Sequence, residues 1–285
     1  MKVLVFGEIL FDIFGDDKKI GGAPFNFASH MSKLGADVDM VSALGRDALG
    51  ETAREYVRAF GVNEKYIAES NLPTGYCRVT LDSEGHPKYD LVRGVAYDAI
   101  EPPMRVGNYD AFYFGTLAAR DERSKSALSK TLGRGDYKEV FFDINIRQNY
   151  YTKELIETLL RACTIFKVSR EEIGVLGFKG SLEDTVRALD DRYPNLKKII
   201  VTLDSDGALV YDCIWDVFTY SDKPVGKVVS TVGAGDSFSA CFLYNYINGE
   251  SDAVCLERAN ALASFVVGNL GAIPDYTDEL IAKIK

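Results

Sequence analysis

The stretch Val228-Val-Ser-Thr-Val-Gly-Ala-Gly-Asp-Ser-Phe238 decides how the rest of the chain is read. Its β-branched run predicts a strand, its glycines a tight turn, and the apolar stripe Phe238, Cys241, Phe242, Tyr244 and Ile247 a helix. Gly233 and Gly235 free the backbone for conformations that a side chain forbids and let a ligand come close to it. Amide N–H groups then face outward together at the positive end of the helix, which makes a seat for an anion. Asp236 stands at the edge of that seat. A carboxylate so placed suits phosphoryl transfer: a hydroxyl gives its proton to Asp236 while a phosphoryl group crosses over the glycine amides. Taken alone, the same residues also describe a capped helix behind a plain turn.

The rest of the chain bears on that choice. At 285 residues, 47% of them hydrophobic, it can bury the core of one large α/β domain, or of a domain with a small appendage. A net charge of −9 argues against a nucleic-acid scaffold, yet allows an anionic ligand held by local amides. The five cysteines are scattered, lie in or beside apolar stretches and form no Cys-x-x-Cys pair, so reduced core thiols are expected. His30 and His86 match no metal-ligand spacing and read as structural. The chain enters a strand at once with Lys2-Val-Leu-Val-Phe6, without a signal peptide or a membrane-length apolar run, and a cytoplasmic protein without membrane partners is expected.

In order, strands are expected at 3–6, 38–44, 111–114, 140–143, 165–168 and 199–203. Helices are expected at 24–34, 49–60, 124–132, 152–162, 182–193, 238–247 and 253–267, with a short terminal one after them. This alternation implies a mostly parallel sheet covered on both faces, with ligands at the carboxyl ends of its strands. A hairpin is expected at 208–211 and 217–220. Runs 76–81 and 88–93 form another, around Asp82-Ser-Glu-Gly85. With no helical crossover between them, they stand off the main sheet and, with 9–14, form a small β-lid.

Several nucleotide motifs are missing. The only Gly-Lys pair, Gly226-Lys227, is followed by Val228, so there is no P-loop. Gly233-x-Gly235 lies near the C-terminus and lacks the third small residue of a dinucleotide fingerprint. A second constellation lies near the N-terminus: Glu8, Asp12 and Gly21-Gly22-Ala-Pro-Phe-Asn26. Its glycines allow close approach of a polar ligand, and Asp12 and Asn26 can bind hydroxyls directionally, which suits a sugar. A glycine turn with Asn26 near a helix start fits the same residues.

The two separated motifs, with the lid between them, resemble the ribokinase-like, or PfkB, family of carbohydrate kinases. Gly7-Glu-Ile-Leu-Phe-Asp12 followed by Gly21-Gly-Ala-Pro24 is most similar to the fructokinases within it. The resemblance spans essentially the whole chain. It implies one ribokinase-like kinase domain over 1–285, doubly wound, with a mostly parallel central sheet, helices on both faces and lid segments at about 9–20 and 74–97. It implies ATP and Mg2+ as cofactors and a sugar, fructose first, as substrate. Carried onto this chain, it makes Asp236 the base and Gly233, Ala234 and Gly235 the anion hole. Asp12, Gly21, Gly22 and Asn26 would hold the sugar. Arg147, in Asp143-Ile-Asn-Ile-Arg147, would touch substrate or phosphate, although a loop ion pair suits it equally. Thr202, Gly207 and Asn260 would face the nucleotide, and Glu172 the magnesium through water.

The chain departs from the family pattern at three positions. Ser169 replaces the asparagine of an Asn-x-x-Glu element, which implies weaker magnesium handling. Ser230 replaces an aspartate beside a monovalent-cation site, which implies little potassium activation. Asp204 replaces a glycine of the nucleotide loop. Two further readings stay open: another PfkB-type kinase, for a ribose-like, keto-deoxy or nucleoside substrate, and a non-catalytic sensor. An exposed strand edge in the lid invites pairing with a second copy, so a homodimer through the lid is expected.

Overall fold

The computed structural model describes residues 1–81, 87–223 and 228–285. In chain order the elements are β1 (Lys2–Phe6), β2 (Leu10–Phe14), β3 (Asp17–Gly21), α1 (Ala23–Lys33), β4 (Asp37–Gly45), α2 (Ala48–Ala59), β5 (Asn63–Ser70), β6 (Gly75–Leu81) and β7 (Pro87–Leu91). Then come β8 (Asn108–Gly115), α3 (Glu122–Leu132), β9 (Asp136–Asp143), α4 (Lys153–Leu160), β10 (Ile165–Ser169), α5 (Leu182–Arg192), β11 (Lys198–Thr202), β12 (Ala208–Asp212) and β13 (Val217–Tyr220). Helices α6 (Ala234–Ile247), α7 (Asp252–Val267) and α8 (Asp278–Ile284) close the chain.

Among the described residues the strands form two sheets. The larger runs β13-β12-β11-β10-β9-β8-β1-β4-β5, parallel from β5 to β11 and antiparallel for the last two strands. The alternation of β1 shows why it is central. Val3 and Val5 pack with α1, α2, α6, α7 and α8 on one face, and Leu4 and Phe6 with α3, α4 and α5 on the other. The smaller sheet, β3-β2-β6-β7, grows from the carboxyl end of β1 through Gly7-Glu8-Ile9. Its strands β2, β6 and β7 overlap the expected runs 9–14, 76–81 and 88–93, while the turn 82–86, with His86, lies outside the described residues.

Two edge strands went unseen in the sequence. Strand β5 is Asn-Glu-Lys-Tyr-Ile-Ala-Glu-Ser, of which only Ile67 is buried, and β3 is Asp-Lys-Lys-Ile-Gly. An edge strand buries little, so apolar patterning is weak there. The expected strand before Gly233 does not form. Val228, Val229 and Val232 are exposed, and the Val229 and Ser230 amides donate to Val267 O at the end of α7. Among the described residues no strand pairs with this run, and β-branching alone does not make one.

The five cysteines are free thiols, and His30 is fully buried between the Tyr276 hydroxyl and the Ala272 carbonyl. Burial pushes His30 down to about 4, so it stays neutral and structural, as expected. No helix among the described residues is long and apolar enough to cross a membrane.

Candidate active site

Helix α6 begins at Gly233, which has a φ of 82° and packs so closely that a Cβ there would lie 2.7 Å from Ala272 O. Only glycine meets both conditions. No side chain caps the helix, and the Gly235 and Asp236 amides have no backbone acceptor among the described residues. Unpaired amides at a helix N-terminus can bind an anion. The helix behind them is buried almost all round from Asp236 to Leu243, which fixes the seat rigidly against the sheet.

Asp236 is 8% exposed, and its Oδ2 accepts a hydrogen bond from Asn26 Nδ2 at 2.8 Å. Asn26 is held in place because Phe27, its neighbour on α1, stacks on Tyr113 with ring centroids 3.7 Å apart. Two motifs 210 residues apart in sequence therefore meet at one carboxylate. Burial pushes Asp236 up to about 6, the Asn26 hydrogen bond opposes that, the Asp143 charge adds to it, and Arg147 and Lys167 oppose it.

Glu8 lies beside the same carboxylate at the end of β1. Burial raises it to about 7, and its Oε2 has no hydrogen-bond partner. Asn26 Oδ1 and the Tyr97 hydroxyl are likewise buried and unpartnered among the described residues. Gly22, with a φ of 107°, leaves no room for a side chain, because a Cβ would lie 2.5 Å from Glu8 O. Gly21 is less constrained: a Cβ there would meet Asp12 Oδ2 at 3.7 Å, an ordinary contact. Asp12 is half-buried on β2; burial raises its carboxyl and the Cys77 thiol, hydrogen-bonded to it, opposes the rise.

Arg147 is exposed on the loop after β9 and forms no ion pair among the described residues. Its charge draws down the carboxyls of Glu8, Asp12 and Asp236. It is flanked by Asn145 and Gln148, at φ 38° and 51°, values that non-glycine residues seldom adopt. Gln148 Nε2 and the Tyr150 hydroxyl donate to Tyr89 O and Leu91 O on β7, so this loop is bonded to the small sheet.

The Glu172 carboxylate is held by two amides, Ile146 N at 2.7 Å and Ser169 N at 2.9 Å. Ser169 Oγ accepts from Glu172 N in return, at 3.2 Å. The serine thus keeps Glu172 in a reciprocal clasp. At the end of β11, Thr202 leads into a tight loop. Asn260 Nδ2 donates to Ser221 Oγ at 2.7 Å, and a Cβ on Gly207 would lie 2.7 Å from that same oxygen. Gly207 and Asn260 therefore share one neighbour, Ser221. Asp204 has a φ of 54°, a left-handed conformation that aspartate is among the few side chains to tolerate. Asp206 beside it is paired with Arg170 and Lys223.

Among the buried charges that escaped the sequence reading, one lies beside the start of α6. Lys167 is 6% exposed in the middle of β10, and its Nζ donates to both Asp143 oxygens at 3.1 Å. Asp143 also accepts from Ser239 Oγ at 3.0 Å. The available signal was a lysine inside Ile165-Phe-Lys-Val168, a run that a doubly covered strand should keep apolar.

This geometry can be set beside known proteins. Probable fructokinase-2 of Arabidopsis thaliana is 26% identical over 306 residues, covering 95% of this chain and 92% of that protein. The 2-dehydro-3-deoxygluconokinase of Haemophilus influenzae is 25% identical, covering 96% of each chain. In fold, the chain is similar to aminoimidazole riboside kinase from Salmonella enterica, at a TM-score of 0.84 and 24% identity over the full length of both. The description "pfkB family carbohydrate kinase" matches residues 3–279. With nearly all of its length matched, and with both separated motifs converging on Asp236, the chain belongs to the pfkB family of carbohydrate kinases.

Proposed function

We propose that this protein transfers a phosphoryl group from ATP to a hydroxyl of a small sugar, with fructose as the first candidate. The Asn26–Asp236 hydrogen bond carries this reading, because it joins a hydroxyl-binding motif to an anion seat. In the reaction a sugar oxygen bonds to the γ-phosphorus and the bond from that phosphorus to the β,γ-bridging oxygen breaks. The hydroxyl proton passes to Asp236, ADP leaves, and the proton is later lost to solvent. A carboxyl near 6 is ionised at neutral pH and more basic than an ordinary aspartate, which supports its role as the base.

Asp12, Gly21, Gly22 and Asn26 would hold the sugar, with Arg147 at its edge. Gly233, Ala234 and Gly235 would hold the transferred group, and Thr202, Gly207 and Asn260 the nucleotide. Among the described residues no three His, Cys, Asp or Glu side chains converge on a metal. A magnesium ion bound with the nucleotide would be held by Glu172 through water. Bound there, it would neutralise phosphate charge. The small sheet would act as a lid over the sugar, excluding water as a rival acceptor. Free thiols fit a cytoplasmic setting.

A keto-deoxy sugar acid is the second reading. It is favoured by Arg147, whose guanidinium lacks an ion-pair partner among the described residues and matches a carboxylate. The deciding experiment is ADP release from Mg-ATP with fructose, ribose, glucose, adenosine, keto-deoxygluconate and fructose 6-phosphate, with Asp236→Asn as control. Turnover on fructose that vanishes in the variant is expected. Turnover on keto-deoxygluconate instead would move the assignment to the second reading, and silence across the panel would refute both.

A further inference from the structure

We propose that Lys167 is a catalytic residue, whose ammonium, held in the anion seat by Asp143, donates a hydrogen bond to the phosphoryl group in transit. The proposal rests on the kinase reading above. Its first support is position: a Cβ built on Gly235 would lie 3.1 Å from Lys167 Nζ. The missing side chain at Gly235 thus opens the ammonium to a ligand of the helix amides. A second support is electrostatic. Cations are disfavoured at the positive end of a helix, yet this one is buried there, beneath α6.

Asp143 accounts for only part of that cost. Lys167 and Asp143 are direct neighbours across β10 and β9, and Asp143 is fixed further by Ser239 Oγ and the Tyr113 hydroxyl. The two charges cancel, which leaves the helix end and the Gly235 and Asp236 amides uncompensated until an anion arrives. Two of the three ammonium hydrogens face the two Asp143 oxygens, and the third, with no acceptor among the described residues, can reach a phosphoryl oxygen. Burial works against the charge, but Asp143 and Glu172 together hold the ammonium above its ordinary range, so Lys167 keeps its proton. In the transfer it lends only a hydrogen bond and charge. The bonds that form and break, and the proton that goes to Asp236, are those already given.

The test uses the charge-neutral double variant Asp143→Asn/Lys167→Gln, because Lys167→Gln alone would strand a buried carboxylate. The readouts are turnover, sugar KM and calorimetric affinity for inorganic tripolyphosphate, which needs no sugar. Turnover should fall by about 10²–10³, the loss typical of one donor aimed at developing charge, with sugar KM nearly unchanged. Tripolyphosphate affinity should fall at least about tenfold. If Lys167 only balances Asp143, the double variant keeps parental turnover and affinity, and the proposal is overturned. Gly235→Ala is the second variant. It leaves a backbone without positive φ undisturbed and puts a methyl against the ammonium; unchanged turnover there would also overturn the proposal. Tripolyphosphate binding that depends on Lys167, in a parent that phosphorylates no sugar, would refute the kinase reading while supporting Lys167 as the ammonium of the seat.

Discussion

The two halves of the site are built on opposite terms. On the N-terminal side, Glu8, Asn26 and Tyr97 carry buried polar atoms without partners among the described residues, and the Glu8 carboxyl stands near 7. On the side proposed for the nucleotide the polar groups satisfy one another nearer the surface: Asn260 bonds Ser221, and Asp206 pairs with the half-exposed Arg170 and the exposed Lys223. An unsatisfied buried group costs about 1–3 kcal/mol and rejects any ligand that fails to pair it. Exposed pairs cost little and discriminate little. Selectivity should therefore reside on the N-terminal side, and tolerance on the other.

Asp236→Asn should break the reaction outright, lowering turnover by about 10²–10⁴ while sugar binding persists, as measured by calorimetry alongside kinetics. Glu8→Gln tests the unsatisfied side through stability. Between pH 4.5 and about 7 the folded protein keeps a proton on Glu8 that the unfolded chain has released, so stability falls as pH rises through that window. The variant removes the penalty. Denaturant melts should show it more stable than the parent by up to about 3 kcal/mol at pH 8 and no more stable at pH 4. A gain equal at both pH values would sink the idea.

Gly207→Ala should sharpen the contrast. A φ of 95° and a Cβ 2.7 Å from Ser221 Oγ should raise the KM for ATP by about 3–10-fold, a cost of about 1 kcal/mol, while sugar KM stays put. The smallest effect concerns Ser230, whose neutral hydroxyl accepts from Val232 N. Turnover should be equal in potassium and in tetramethylammonium salts; activation by potassium would refute the reading of this position. The Ser169–Glu172 clasp makes ordinary magnesium affinity the expectation from structure, against the weaker handling read from sequence.

What the sequence revealed follows burial. The runs Val3–Phe6 and Ile165–Val168 are legible because strands buried on both faces must be apolar. Helix α1 is legible because Pro24 opens it and Gly35, at a φ of 100°, ends it. Strands β3 and β5 escaped because an edge can be made of charged residues, and the Val228 run misled because propensity cannot supply a neighbouring strand. The glycines of the site were readable as chemistry, since Gly22 and Gly233 tolerate no other residue. Lys167 was not: its meaning depends on Asp143 and Gly235, which lie next to it only in three dimensions.

The Asn26–Asp236 hydrogen bond also sets a schedule for the growing chain. At ~5–20 residues per second, the 210 residues between the partners take roughly 10–40 s to emerge from a ribosome. For that time α1 has no α6 to pack on, although Phe27 gains its stacking partner Tyr113 on β8 much earlier. The two motifs of the site therefore meet only after every strand of the larger sheet has been made.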